Sequence, residues 1–331
     1  MEAKITADAE TQVEIYRRMT LIKQNDERLR KVITSGRLVM PYYSPRGQEV
    51  IPSAISVHLT NEDYICTIYR GIHDMLAKGL PLRELWAELG GRATGTCKGK
   101  GGPMHITHPA TGIMVTTGIV GSTMPIANGI AWGSQLSEND RVTIAYFGDG
   151  ASNIGAFHEA LNMASLWKLP VVFVCQNNRY AEHTSYEKGT SVARIADRAS
   201  AYSMPGVTID GNDPFEVYAA AGEAIARARA GGGPTLVEAM TFRFYGHVFG
   251  DQDAYMDKAQ KAAAIAADPV PRFRRLLLDT GVATEGQLSA IEADIERQLD
   301  DALEYALQSE FPDLVELRRD VFAYELEEAG Q

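Results

Sequence analysis

Gly148-Asp149-Gly150, followed after a stretch of helical character by the pair Asn177-Asn178, constrains this chain more than any other feature. The apolar run 142–147 reads as a buried strand that stops at Gly148, where two glycines let a backbone turn come close to a ligand. Asp149 is left at the strand's carboxyl end. From Ser152 or Asn153 onward, Phe157, Leu161, Ala164 and Trp167 fall at helical spacing, which predicts a helix whose N-terminus faces the same crevice and favours a phosphate. That helix must stop before Pro170. The run Val-Val-Phe-Val-Cys then reads as a second buried strand, whose end delivers Asn177 and Asn178 to the same edge of a parallel sheet. The 26 residues between Gly150 and Asn177 therefore read as a crossover in an open α/β fold, the type that binds ligands at its strands' carboxyl ends. One carboxylate and one amide oxygen meet there. Mg²⁺ accepts such sparse oxygen ligation when phosphate oxygens and water complete its shell, so a metal clamped to a diphosphate is the expected occupant.

Length and composition agree with a large α/β unit. A chain of 331 residues suggests about two domains by size, but α/β folds with one large sheet commonly run past 200 residues as one unit. No Pro- or Gly-rich linker forces a cut. We therefore expect a single domain over residues 1–331, with an N-terminal helical extension and a C-terminal helical segment. Hydrophobic residues make up 45% of the chain, enough for a large core, and no run of about 18 apolar residues suggests a membrane span. The start of the chain, MEAKITADAETQ, is acidic and polar and reads as no secretory signal. Cys66, Cys97 and Cys175 are widely spaced and lack a Cys-x-x-Cys pattern, so neither a disulfide framework nor a zinc site is expected, and a reducing cytoplasm fits. The net charge of −11 disfavours a nucleic-acid surface, which needs a basic stripe.

Outside the central unit, residues 14–35 predict a charged amphipathic helix, residues 48–59 a second helix, and residues 63–71 a strand running into a polar turn. Residues 285–308 carry apolar side chains at three- and four-residue steps and predict a long helix, either packed on its own domain or facing a partner. Lys98 and Lys100 sit among glycines, where long side chains can reach an anion. Arg243 and His247 follow a strand at 235–242. An arginine suits phosphate because its fork donates parallel hydrogen bonds.

Taken together, Tyr69-Arg70-Gly71, residues 99–105, Gly118-Ile119-Val120-Gly121, the Gly-Asp-Gly unit, Asn177-Asn178-Arg179-Tyr180 and Tyr245-Gly246-His247 resemble, in order, the blocks of thiamine-diphosphate enzymes. The specific likeness is to the α subunits of 2-oxo acid dehydrogenase E1 components and acetoin dehydrogenases. The resemblance implies a three-layer α/β/α thiamine-diphosphate-binding fold with a mainly parallel sheet. It implies thiamine diphosphate and Mg²⁺ as cofactors, with Asp149, Asn178 and Tyr180 on the metal. Cofactor contacts would come from Tyr69, Arg70, Gly118, Val120, Gly148, Asp149, Gly150, Ala151, Asn178, Tyr180, Arg243 and His247. His247 would be catalytic, orienting a substrate carboxylate or moving a proton. In this family the glutamate that activates the cofactor's ring comes from a separate pyrimidine-binding domain, and no second copy of such a domain is visible here. The resemblance thus implies a β subunit in an α₂β₂ assembly, with acyl transfer to a lipoyl group on an E2 partner.

The chain departs from the family pattern in several places. Tyr43 stands where many pyruvate-type members carry a histidine, Ile72-His73-Asp74 replaces a His-Gly sequence, Val248, Phe249 and Gly250 stand where animal members carry phosphorylated serines, and Met256 replaces a frequent arginine. Pyruvate specificity and kinase control are not implied. Two other readings fit the sequence: a split transketolase-like subunit that passes its fragment to an aldehyde, and a non-catalytic subunit that only holds cofactor. Of the remaining histidines, His105 has support from its block, whereas His58, His108, His158 and His183 read as structural.

Overall fold

The computed structural model describes residues 6–322. Residues 1–5, where the polar N-terminal segment begins, and residues 323–331, which end the expected domain, lie outside the described residues. The strands are β1 (Tyr64–Ile68), β2 (Ile113–Thr117), β3 (Thr143–Gly148), β4 (Val171–Asn177), the short pair β5 (Tyr180–Ala181) and β6 (Thr184–Ser185), β7 (Gly206–Asp210) and β8 (Thr235–Met240). Six of them form one sheet in the order β2-β1-β3-β4-β8-β7, every neighbouring pair parallel. β5 and β6 make a separate antiparallel hairpin.

Eleven α-helices are described: α1 (Ala9–Thr34), α2 (Val50–Ser56), α3 (Ile72–Lys78), α4 (Leu82–Leu89), α5 (Thr123–Leu136), α6 (Gly155–Trp167), α7 (Tyr186–Gly189), α8 (Pro214–Arg229), α9 (Lys258–Ala266), α10 (Pro269–Asp279) and α11 (Glu285–Gln308). Side chains alternate across the sheet with period two. Ile144, Tyr146, Val172 and Val174 enter one core with residues of α1–α4, α8, α10 and α11. Ala145, Phe147, Phe173 and Cys175 enter the other with Met124 and Ala127 of α5 and Phe157 and Leu161 of α6. Both faces of the sheet are therefore covered, the expected three-layer α/β/α arrangement, which is why β3 and β4 read as continuous apolar runs rather than alternating ones.

Several boundaries differ from expectation for identifiable reasons. α1 begins earlier, at Ala9, because the Asp8 side chain caps it, accepting the Thr11 N–H at 2.8 Å. α6 begins at Gly155, not at Ser152 or Asn153. The Ser152 hydroxyl donates to the Asp149 carbonyl at 2.8 Å, and the Asn153 amide bonds Gly189, Thr190 and Arg198, so neither side chain is free to cap. Residues Asp149–Asn153 instead form a 3₁₀ turn. Trp167, which falls at the helical spacing, is 43% exposed and packs its ring 5.4 Å from that of Trp132. α11 matches residues 285–308; Leu288, Ile291, Ile295, Leu299 and Leu303 are buried, and it packs on α4 and α1, so this face serves its own domain.

From β1 the chain moves outward to β2, then returns to place β3 on the other side of β1. The crevice such a reversal opens lies at the carboxyl ends of the strands.

Candidate active site

Five strand ends converge on that crevice. Tyr69 and Arg70 follow β1, Gly118 and Val120 follow β2, Gly148 closes β3 ahead of Asp149, Gly150 and Ala151, Asn178 and Tyr180 follow β4, and Arg243 and His247 follow β8. All twelve expected residues line one cleft of about 410 Å³, joined by Tyr43, Ile68, Met104, Ala181 and Glu182. A larger cleft of about 520 Å³ between Asp210–Phe215 and α10 contains none of them.

The two glycines beside Asp149 do different work. A Cβ on Gly150 would lie 2.6 Å from the Ala181 methyl, so glycine lets the β5–β6 hairpin close onto the turn, whereas a Cβ on Gly148 would meet nothing within 4 Å and faces open space. The Asn pair splits in the same way. Asn177 turns into the sheet, its amide donating to Glu238 at 2.8 Å, while Asn178 lines the cleft with its amide N–H on Gln48 at 3.2 Å and its oxygen accepting the Tyr180 N–H at 3.3 Å. Asp149 is 2% exposed, and among the described residues its carboxylate has no ion-pair partner. Burial pushes its carboxyl up to about 6, against the pull of Arg243 and Arg70. No group of three His, Cys, Asp or Glu side chains that could hold a metal occurs among the described residues. A cation beside Asp149 and Asn178 must take the rest of its shell from backbone, ligand and water, a coordination that suits Mg²⁺.

Opposite this corner stand two buried guanidiniums. Arg70 is 3% exposed and donates to the Ser44 carbonyl at 3.0 Å and the His247 carbonyl at 3.1 Å. Arg243 is 1% exposed and donates to the carbonyls of Tyr245 and Glu182 and to the Tyr255 hydroxyl, all at 2.9–3.0 Å. Neither has a carboxylate in ion-pair range among the described residues. Burial, with Arg243 nearby, lowers Arg70 to about 10, which leaves it charged at neutral pH. Burying unpaired cations is costly unless an anion joins them, so the cleft is built to receive one.

His247 is half-buried. Its Nδ1 lies 3.4 Å from Arg70 Nη2, a donor, which assigns the ring proton to Nε2. Burial, then Arg70, Arg243 and His183, push it down to about 4, so the ring is neutral at neutral pH. Its backbone N–H donates to the Asp251 carboxylate at 2.6 Å and the Tyr255 hydroxyl at 2.9 Å. Tyr43 takes the place expected for a histidine and sets its ring 4.6 Å from Tyr69 and 5.3 Å from His247.

Sequence reasoning missed Asp251, Tyr255 and His183. His183 read as structural, yet the hairpin turn sets its ring 6.2 Å from His247 and 4.5 Å from Tyr255. Lys98 and Lys100 do not face an anion site; they pair with Glu316 and Asp320. The glycine-rich loop that carries them is ordered by Glu88, whose buried carboxylate accepts the N–H groups of Cys97, Gly99, Gly101 and Gly102 at 2.7–3.0 Å. His105 is exposed. His58, His108 and His158 bond Tyr218, Thr111 and Tyr202, consistent with their structural reading.

The model of the dehydrogenase E1 component family matches residues 16–314. The α subunit of acetoin:2,6-dichlorophenolindophenol oxidoreductase from Bacillus subtilis (strain 168) is 40% identical over 309 residues, covering 93% of this chain and 92% of the relative. The corresponding Cupriavidus necator subunit is 38% identical, covering 97% and 96%, and the pyruvate dehydrogenase E1 component subunit alpha of Porphyra purpurea is 34% identical, covering 93% and 92%. With the blocks in order and the match running nearly end to end, this chain belongs to the dehydrogenase E1 component family.

Proposed function

We propose that the chain is the α subunit of a thiamine-diphosphate- and Mg²⁺-dependent E1-type dehydrogenase that cleaves the C–C bond next to a carbonyl, by 2-oxo acid decarboxylation or acetoin cleavage. In this reading residues 1–331 form one diphosphate-binding domain, which works with a β subunit in an α₂β₂ assembly, passes the acyl group to a lipoyl E2 and resides in a reducing cytoplasm. The observation that carries it is the charge pattern of the cleft: two buried, carboxylate-free guanidiniums facing a buried carboxylate without a cation. A magnesium diphosphate answers both.

Asp149, the Asn178 amide oxygen and the Tyr180 carbonyl would hold the metal, and the N–H groups of the Asp149–Asn153 turn, with Arg70 and Arg243, would meet phosphate. When bound, thiamine diphosphate supplies the nucleophilic carbon and the electron sink. The chain's own residues do the rest. Neutral His247 presents its Nε2–H to a substrate oxygen, Arg70 fixes the ring from behind, and Tyr43, Tyr69 and Met104 crowd water from the mouth.

Calorimetric titration with thiamine diphosphate and Mg²⁺ tests the assignment. Asp149→Ala is expected to abolish Mg²⁺-dependent binding and Asn178→Ala to weaken it nearly as much. Wild-type affinity in Asp149→Ala overturns the metal assignment.

A further inference from the structure

We propose that His183 is a positioning residue for His247, acting through the Asp251 carboxylate and the Tyr255 ring. The inference rests on the cleft being a catalytic site.

His183 sits on the turn between β5 and β6, and that turn is anchored. Ala181 packs against Gly150, and Glu182 adopts a left-handed backbone (φ +52°) with its carbonyl held by Arg243 Nη2 at 2.9 Å. The imidazole is thereby presented at the rim of the cleft, with 58% of its side chain open to solvent. Its Nε2 lies 3.7 Å from Asp251 Oδ2, and it is the one basic side chain in ion-pair range of that carboxylate among the described residues. Lys261 is taken by Asp253 at 2.6 Å.

Asp251 is the joint between the two histidines. Oδ2 accepts the His247 N–H at 2.6 Å and the Tyr255 hydroxyl at 2.7 Å, and Oδ1 accepts the Asp253 N–H at 2.8 Å. Against the upward pull of burial, these donors and His183 hold its carboxyl down at about 2, so it is ionised under all working conditions. His183 faces Oδ2, packs its ring 4.5 Å from that of Tyr255, and through both holds the Gly246-His247 peptide in place. His183 also stands with Arg70 and Arg243 among the neighbours that hold His247 down. The groups facing the pair are Asp251, Tyr255, Arg70 and Arg243, with the aromatic rings of Tyr43 and Tyr69 on the far side of His247. No proton passes from His183 to substrate in this scheme; it acts on the ring that does the contact.

The test uses the full chain without cofactor. Imidazole ¹⁵N spectra of His247 are recorded against pH in wild type, His183→Gln and His183→Lys. The Gln variant is expected to titrate His247 at higher pH than wild type, and the Lys variant, which places a cation beside Asp251, to return it toward the wild-type value. In the assembled enzyme His183→Gln is expected to lower kcat about ten-fold, a loss of about 1.4 kcal/mol in the barrier, with KM unchanged and partial rescue by Lys. An unmoved His247 titration in the Gln variant, or equal behaviour of the two variants, overturns the proposal. Wild-type calorimetry with thiamine diphosphate and Mg²⁺ reports separately on the cofactor reading, so absence of binding there would sink that reading while the His183–His247 coupling is decided by the spectra.

Discussion

The Asp74 carboxylate accepts the Gln176 amide N–H at 2.7 Å, joining the helix that begins just after Arg70 to the strand that ends just before Asn178. Thr67 donates to the other Asp74 oxygen at 2.5 Å, and His73 Nε2 lies 3.2 Å from the Gln176 oxygen. All four side chains are buried, and among the described residues no Lys or Arg pairs with Asp74. Burial drives Asp74 up to about 7 and His73 down to about 3, so the histidine is neutral and supplies no countercharge at neutral pH. The core between α3 and β4 thus contains a carboxyl that the fold prefers protonated.

That preference predicts how stability varies with pH. Because the folded pKa lies above the unfolded 3.8, the folded chain holds a proton that the unfolded chain has released. The contribution is complete below about pH 4, falls as pH rises through about 7, and levels off beyond. Asp74→Asn removes this slope. Urea unfolding at pH 5 and pH 8 should show wild type losing, relative to the variant, up to about 3 kcal/mol across the window, the two units between pH 5 and the folded value of about 7 converted at about 1.4 kcal/mol per unit. Parallel behaviour of the two proteins would refute the buried-acid assignment.

Glu88→Ala should disorder the loop of residues 95–102. Four N–H groups lose one shared carboxyl acceptor, and each buried donor left unsatisfied costs about 1–3 kcal/mol before relaxation. We expect a destabilisation of at least about 3 kcal/mol in chemical unfolding, together with faster tryptic cleavage after Lys98 and Lys100. Wild-type resistance to trypsin would show that the ion pairs to Glu316 and Asp320 hold the loop alone.

Gly246→Ala should damage catalysis more than folding. Its added methyl would lie 2.5 Å from the Asp251 carboxyl carbon, so the carboxylate must move off the His247 N–H. The expected result is a kcat lowered by about ten-fold or more with cofactor affinity retained. Equal losses in calorimetry and turnover would instead place the residue in cofactor binding.

Purified alone, the chain should bind thiamine diphosphate weakly and turn over neither 2-oxo acids nor acetoin, with activity appearing when the β subunit is added. The reason is chemical: the glutamate needed to activate the cofactor's ring is expected from the pyrimidine-binding partner. Robust turnover by the isolated chain would end this assignment.

The residues legible in the sequence were those whose local chemistry carries the signal. The Gly-Asp-Gly turn, the arginines at strand ends and the Asn pair announce themselves by residue type beside an apolar run, and all but Asn177 line the cleft. Glu88 and Asp251 were not legible because they act on backbone N–H groups, which leave no side-chain pattern to read. Asp74 pairs with a residue 102 positions away, and only the sheet order brings them together. His183 had no signal beyond lying near a turn; its direction depends on the left-handed Glu182 and the Gly150–Ala181 contact. The start of α6 failed for a related reason: Asn153 looked like a cap but is taken by α7 and the following loop.

The order β2-β1-β3-β4-β8-β7 has a consequence for how this molecule comes into being. Arg70 and Arg243 belong to strands that leave the chain's folding programme far apart, and β8 can dock only beside β4 after the long excursion through β7 and α8. Contacts of such sequence separation form late because loop closure precedes any return from them. Until β8 docks, the cleft lacks Arg243 and His247. Ligand capture is therefore a property of the finished sheet, and a nascent chain released before residue 243 carries the recognisable turn yet has nothing with which to close it.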